Sequence, residues 1–354
     1  FPVKFNSEGI ITHYDVDIQQ VMPGGNQPHR RSIPKALLSL IKDKLFSDEG
    51  FPVDMVTYDG EKNIFSAVSL PTGEFKVELS DGEENVRTYK FVIQKVNQLK
   101  LSNLKDYLCG NLPHIPRDIL QAMDLVMKHN PSMHRIPVGR SFYSKNERGD
   151  DLGHGIAAYR GFYQSLKPTS NGLALCLDYS VLAFRKPLPV IDFLKENVVG
   201  FRGVKDVTRM RRQVESALKG LKVRVTHRKT KQKYTISGLT RDITRLIKFS
   251  LVDPDGQVPP REVSLVDYFR QKYEEKIAHL DIPCLDLGRK DKKNDVPMEF
   301  CVLVEGQRYS KDYLERNEKD AAVLLKQISL APPAVRKRTI CDMVQAEDGP
   351  DGYV

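Results

Sequence analysis

Apolar residues recur along this chain with two periods, and each switch from one to the other marks an element. Tyr14, Val16 and Ile18 alternate with polar neighbours, which predicts a strand pair over residues 1–18. Pro23-Gly24-Gly25-Asn26 reads as a loop. Ser32 can cap a helix in which Ile33, Leu37, Ile41 and Leu45 recur every four residues. Residues 53–58 and 63–70 flank an Asp59-Gly60 turn and predict a hairpin. Phe75, Val77 and Leu79 alternate, turn at Asp81-Gly82 and return through Tyr89, Phe91 and Ile93. One helix is expected after Ser102 and another near Pro116, with Ile119, Met123 and Met127 on one face. The first ~135 residues thus predict one α+β unit.

Strands are expected over 138–143, 159–165 and 173–184, with a polar loop over 145–155 between them. The core of 173–184 is nearly all apolar and predicts a buried strand. Pro187-Leu188-Pro189 marks a boundary. Beyond it come a short helix over 190–197 and a basic helix over 207–218. Two short strands, 221–226 and 233–236, flank a basic turn, and 247–252, 284–287 and 298–302 add further strands. A helix over 266–275 carries Asp267-Tyr268-Phe269 in its first turns. Many short strands with one or two helices in roughly 110 residues predict a small barrel of the OB type. The tail is expected to hold a helix over 320–329, to stop at Pro332-Pro333, and to continue as a basic and then acidic segment.

Composition narrows the classes. The chain has 354 residues, 40% of them hydrophobic, 29% charged, with a formal charge of +9. That is globular and long enough for two or three domains. No run approaches the ~18 apolar residues of a membrane helix, so no membrane partner is expected. Five widely spaced cysteines (Cys109, Cys176, Cys284, Cys301, Cys341) exclude a disulfide framework and a CxxC zinc pair, and they fit a reducing compartment. Starting at Phe1 rather than Met, the chain reads as a piece of something larger.

The charge is local. Fifteen basic residues and three acids lie between Phe201 and Lys248, a net +12 that leaves the rest of the chain at −3. One basic segment in a slightly acidic chain points to a polyanionic partner, although a solvated helix and hairpin would carry the same charge. The chain has no P-loop, GxSxG or HExxH, and its paired acids are adjacent, so they point different ways. No constellation supports catalysis, and no cofactor is expected. The chain reads as a binding module.

Aromatic residues are interleaved with the basic ones. His227 precedes Arg228-Lys229; Tyr234 follows Lys231-Gln232-Lys233; Phe249 follows Lys248; Tyr268 and Tyr273 bracket Arg270 and Lys272. Single-stranded nucleic acid suits this mixture: bases stack on rings at roughly 1–3 kcal/mol each, and phosphates take hydrogen bonds from Tyr, His and Lys. A blander reading stands beside it. Phe269 suits the core, Phe249 suits it equally, Tyr234 and Tyr268 fit half-buried barrel positions, and a histidine at a strand end is usually inert.

Several runs make the chain recognisable. Tyr58-Asp59-Gly60-Glu61-Lys62-Asn63-Ile64-Phe65-Ser66-Ala67 and Gln121-Ala122-Met123-Asp124-Leu125-Val126-Met127-Lys128 resemble the N domain of eukaryotic Argonaute proteins. Pro137-Val138-Gly139-Arg140-Ser141-Phe142-Tyr143 resembles the start of their first linker. Lys219-Gly220-Leu221-Lys222-Val223, Asp267-Tyr268-Phe269 and Ile282-Pro283-Cys284-Leu285 resemble their PAZ domain. Pro297-Met298-Glu299-Phe300-Cys301 and Val304-Glu305-Gly306-Gln307-Arg308-Tyr309 resemble the exit into the second linker, and 171–186 resembles a plant member.

The resemblance implies an α+β multidomain fold. Its parts are an N domain over 1–137, linker 1 over 138–187, an OB-like PAZ barrel with an inserted αβ module over 188–304, and the start of linker 2 over 305–354. It implies binding of single-stranded or 3′-overhang small RNA (siRNA or miRNA) in RNA silencing, including antiviral defence, in cytoplasm or nucleus. The PAZ domain would hold the guide 3′ end, and the N domain would help separate the strands. His227, Tyr234, Tyr268 and Tyr273 match the family's phosphate-gripping positions. Phe249 matches the ring that stacks on the last nucleoside, and Lys272 matches a backbone contact. Arg228, Lys229, Lys231 and Lys233 supply a basic path for the backbone, with Lys231 or Lys233 standing in for a family arginine. The family's slicing site belongs to the MID–PIWI lobe, which would be a partner rather than part of these residues. A Dicer-type PAZ module and a scaffold that docks protein partners are the alternative readings.

Overall fold

The computed structural model describes residues 1–21, 33–80, 86–145, 149–229, 232–251, 259–288 and 293–350. The chain folds as two compact units. One comprises 1–146, 160–180 and 331–354; the other comprises 147–159 and 181–330.

In the first unit, β1 (Ile10–Gln20), α1 (Lys35–Asp48), β2 (Val56–Tyr58), β3 (Asn63–Ser66), β4 (Gly73–Ser80) and β5 (Val86–Lys100) follow the expected pattern. The strands make one antiparallel sheet in the order β2-β3-β1-β5-β4. Tyr14, Val16, Ile64, Val77, Phe91 and Ile93 pack from the sheet onto Ile41, Leu45 and Phe46 of α1. The expected helix stripe is therefore the buried stripe. The buried Tyr14 hydroxyl accepts the Leu70 amide at 2.8 Å, which satisfies a polar group that burial would otherwise penalise. Residues 1–18 hold one strand, β1 from Ile10 onward, rather than a pair, because Pro2 bridges Ala174 instead of turning back on β1. Ser32 does not cap α1: the helix starts at Lys35 with Pro34 at the N-cap and no side-chain cap, because a proline preset for the first turn takes that place. The loop 23–26 and the Asp81-Gly82 turn lie outside the described residues.

α2 (Ser102–Leu108) and α3 (Arg117–His134) bury Leu104, Ile119 and Ala122 against Phe65, Leu166, Leu173 and Leu175. β6 (Ile136–Val138), β7 (Ser141–Tyr143), β8 (Asp150–Gly153), β9 (Ile156–Thr169) and β10 (Gly172–Arg185) form a second sheet, ordered β10-β9-β7-β6 with β8 also on β9. Three expectations fail here. The strand expected over 138–143 is instead a tight hairpin, β6 paired with β7, because Gly139 takes a left-handed φ of 62° and reverses the chain. The polar stretch 145–155 contains the strand β8, because Leu152 is buried with Ile156 and Ala158. β10 is an edge strand, so most of its apolar run is half-exposed; only Leu173, Leu175, Ala183 and Phe184 are buried.

The second unit opens with α4 (Val190–Asn197). The expected basic helix is broken at Met210 into α5 (Asp206–Arg209) and α6 (Arg211–Leu218). Then come β11 (Lys222–Val225), β12 (Tyr234–Thr235), β13 (Gly238–Ile243), β14 (Lys248–Leu251), β15 (Arg261–Ser264), α7 (Leu265–Tyr273), β16 (Pro283–Asp286), β17 (Asp295–Val296) and β18 (Cys301–Leu303). β13, β15 and β17 escape the sequence pattern because each is short and has polar neighbours. The strands form the sheets β12-β11-β18 and β13-β16-β17, with β14, β15 and α7 inserted between β13 and β16. One core serves both sheets and includes Phe193, Leu194, Val214, Val223, Phe269, Leu285 and Met298. Residues 298–300 form a 3-10 turn ahead of β18, where the sequence predicts strand.

After α8 (Lys311–Asn317) and α9 (Lys319–Ser329) the chain returns to the first unit as α10 (Pro333–Gln345). The sequence places a stop at Pro332-Pro333, but Pro333 sits in the first turn of α10, where a missing N–H costs nothing. Among the described residues no helix is long and apolar enough to cross a membrane.

Candidate nucleic-acid interface

His227 from the basic segment and Phe249, Tyr268 and Tyr273 from beyond it come together in the second unit. β11 alternates Lys222 and Arg224 outward with Val223 and Val225 inward, and so delivers the chain to a turn at 226–228. Thr226 fixes that turn: its amide donates to the Phe300 carbonyl at 2.9 Å, and its hydroxyl donates to the same oxygen at 3.3 Å. His227 is thereby set against the Phe300 ring, with centroids 5.6 Å apart.

α7 brings the second group. Ser264 caps it, accepting the Asp267 amide at 3.1 Å. Glu274 closes it in the left-handed conformation at φ 57°. Phe269 faces the core at 1% exposure, as its place on the inward stripe requires. Tyr273 lies one turn further on, 4.8 Å from His227 and 5.6 Å from Tyr268. β14 supplies Phe249, whose ring meets Tyr268 edge to face at 5.0 Å. His227, Tyr273, Tyr268 and Phe249 thus form a continuous half-buried aromatic row, backed by Phe269 and Phe300.

Cations edge this row. Lys272 holds its ammonium 5.4 Å from the Tyr268 ring, and the Arg228 guanidinium lies 5.6 Å from the Tyr273 ring. Arg228 Nε donates to His227 Nε2 at 2.9 Å. Burial, reinforced by the Arg228 cation, pushes His227 down to about 4, so the imidazole is neutral near pH 7. Arg228 is half-buried against the histidine, whereas Lys229 and Lys233 are exposed. Lys231 lies outside the described residues. Tyr234 sits on β12 opposite Val223, packs on the core and donates its hydroxyl to Gln232 Oε1 at 3.2 Å.

The basic helix is partly consumed by structure. Arg211 donates to the carbonyls of Leu239 and Thr240 at 3.3 and 2.7 Å, and Arg209 pairs with Asp206. Lys205, Arg212, Lys219, Lys222, Arg224, Arg241 and Lys248 are exposed. Two members of the site escape a reading of the basic segment alone: Phe300, which backs His227, and Asn294, whose Oδ1 accepts from Arg228 Nη2 at 3.4 Å. Both come from the chain well after the segment, and only folding brings them to it.

Comparison with known families assigns most of the chain. Residues 1–127 match the N-terminal domain of argonaute, 137–186 the Argonaute linker 1 domain, and 191–324 the PAZ domain. The chain belongs to the Argonaute family. Its relatives include rice (Oryza sativa subsp. japonica) protein argonaute 2, 37% identical across 99% of this chain and 32% of the relative. Rice protein argonaute 1A is 36% identical across 94% of this chain and 31% of its own length. The chain therefore spans about a third of the curated relatives it matches. The crystal structure of Kluyveromyces polysporus Argonaute with a guide RNA covers 93% of this chain and 39% of that one, with a TM-score of 0.58 at 18% identity. That likeness shows the shared Argonaute fold. The aromatic row lies within the matched PAZ region, and the three matched domains do not include a PIWI domain.

Proposed function

We propose that this chain binds small RNA of the siRNA or miRNA class for RNA silencing, and that its PAZ region anchors the guide 3′ end. The observation that carries the reading is the half-buried aromatic row His227–Tyr273–Tyr268–Phe249 with Arg228 and Lys272 at its edge. Such a row offers the half-buried Phe249 ring for stacking on a terminal nucleoside. It also offers tyrosine hydroxyls, an imidazole and two cations for the last phosphodiester. None of these groups reads a base edge, so the site fits an end rather than a sequence. The exposed cations of 201–248 steer the backbone toward it. The N domain assists strand separation in this reading, and cleavage belongs to a MID–PIWI lobe.

The test compares a short duplex bearing a two-nucleotide 3′ overhang with a circularised RNA of the same composition. End capture predicts that the overhang binds at least about tenfold more tightly at moderate salt. Equal affinity for both would leave only general electrostatic binding and overturn the reading.

A further inference from the structure

We infer that the outer edge of β4 is a self-pairing surface, through which two copies of this chain join antiparallel about a two-fold axis at Val77. The surface belongs to the first unit and is independent of RNA binding by the second.

β4 ends the sheet β2-β3-β1-β5-β4 and is bonded to β5 along one side. The backbone groups of every second residue therefore point away from β5. Among the described residues no backbone hydrogen bond reaches these outward groups over 74–79. Such an edge is a template for a further strand. Its side chains alternate between two faces. Phe75, Val77 and Leu79 pack on the core shared with α1; Val77 is buried, but Phe75 and Leu79 are only half-buried. Another strand would cover the rest of these two side chains. On the other face Glu74, Lys76 and Glu78 are exposed. Lys76 lies 2.7 Å from Glu78, and Lys90 of β5 lies 2.5 Å from Glu74.

Charge on an edge normally keeps other strands away. Here the signs alternate, so the edge repels itself in one register and complements itself in another. Facing residues of an antiparallel pair share a sheet face, so a two-fold axis must pass through a residue. An axis at Lys76 sets Lys76 against the partner's Lys76 and Glu74 against the partner's Glu78, which is repulsive throughout. An axis at Val77 sets Lys76 against the partner's Glu78 twice, by symmetry, and Phe75 against the partner's Leu79 twice. An axis at Phe75 also pairs opposite charges, but its overlap is shorter and it draws on Glu74, which Lys90 already holds. Opposite charges and apolar pairs directly across a ladder both stabilise it. The Val77 register has both, and it makes one continuous sheet of the two five-stranded sheets. A single strand pair is a small interface, so the dimer is expected to be weak and to form only at high protein concentration.

The experiment is sedimentation of the whole chain, without RNA, over a range of concentrations. The wild type should shift from monomer to dimer as concentration rises. Lys76→Glu and Glu78→Lys, each checked for an unchanged thermal midpoint, replace two attractive pairs by two repulsive ones and should each weaken the dimer about tenfold. In an equal mixture of the two variants the acidic edge of one faces the basic edge of the other, and a dimer of wild-type strength should return. A wild type that stays monomeric leaves the edge to solvent or to a strand of another protein and overturns the inference. A dimer that neither substitution weakens lies elsewhere on the chain and overturns it as well. Two weakened variants that do not recover on mixing overturn the register at Val77.

Discussion

The Ser264 hydroxyl accepts the Asp267 amide at 3.1 Å and donates to the Asp267 carboxylate at 2.6 Å. This pair starts the helix that carries Tyr268, Lys272 and Tyr273, and Ser264 also ends the strand that pairs with Lys248 beside Phe249. A two-residue contact therefore sets the angle between the two faces of the aromatic row. Replacing Ser264 with Ala removes an N-cap, at a cost of about 1 kcal/mol. The expected outcome is a lower urea midpoint together with weaker overhang binding; an unchanged midpoint would show that the cap is dispensable.

Tyr268 and Tyr273 stand 5.6 Å apart and are only half-buried, so truncating them leaves the core largely intact. Tyr268→Ala with Tyr273→Ala should weaken overhang RNA well beyond any loss of folding. Phe249→Ala alone should cost about 1–3 kcal/mol of binding if its ring stacks on a base. Filter binding, with circular dichroism to confirm the fold, checks both; undiminished affinity in the double variant would remove the site.

His227 gives a pH signature. Its value falls from 6.5 to about 4 on folding. Between those values the unfolded chain binds a proton that the folded chain refuses, so stability falls as pH drops through that window. Above 6.5 the contribution is fully present, and below about 4 nothing further is lost. Urea midpoints measured across the window should decline more steeply for the wild type than for His227→Gln. Parallel slopes would mean that His227 is not held neutral by burial.

In the first unit Arg135 is nearly buried and donates to the Asp348 carboxylate at 2.6 Å and to its carbonyl at 3.2 Å. Its guanidinium also lies 5.1 Å from the Phe162 ring. Asn130 Nδ2 holds the neighbouring carbonyls of Glu347 and Gly349 at 2.9 and 2.7 Å. Asp348→Ala should destabilise by about 2 kcal/mol, less than a fully buried pair because Asp348 keeps some water. Limited proteolysis should then cut near residues 346–350 before the rest of the unit. A wild-type digestion pattern would show that the clasp contributes nothing.

The elements that sequence reveals are those whose local pattern and tertiary environment agree. α1 reads correctly because Ile41 and Leu45 repeat at helical spacing and face one sheet. β8 is hidden because only Leu152 of its four residues is buried, and one apolar residue makes no period. The Pro332-Pro333 pair misleads because a proline that ends one helix is equally suited to begin the next. In the site, the spacing of Tyr268, Phe269 and Tyr273 already places them around one helix end. The partners of His227 are not visible that way, since Phe300 and Asn294 reach it only through β18 and β17.

The sequence by itself determined the family, the order of the domains, the basic segment and the identity of the aromatic residues, because these are properties of residue type and local order. Only the tertiary structure decided that Arg228 turns inward onto His227 instead of joining the exposed cations, and that Arg211 is spent on backbone carbonyls. Charge adds along a chain wherever it lies. Whether a cation meets solvent, a carbonyl or an imidazole depends on which distant strands fold beside it, and no local pattern encodes that neighbourhood.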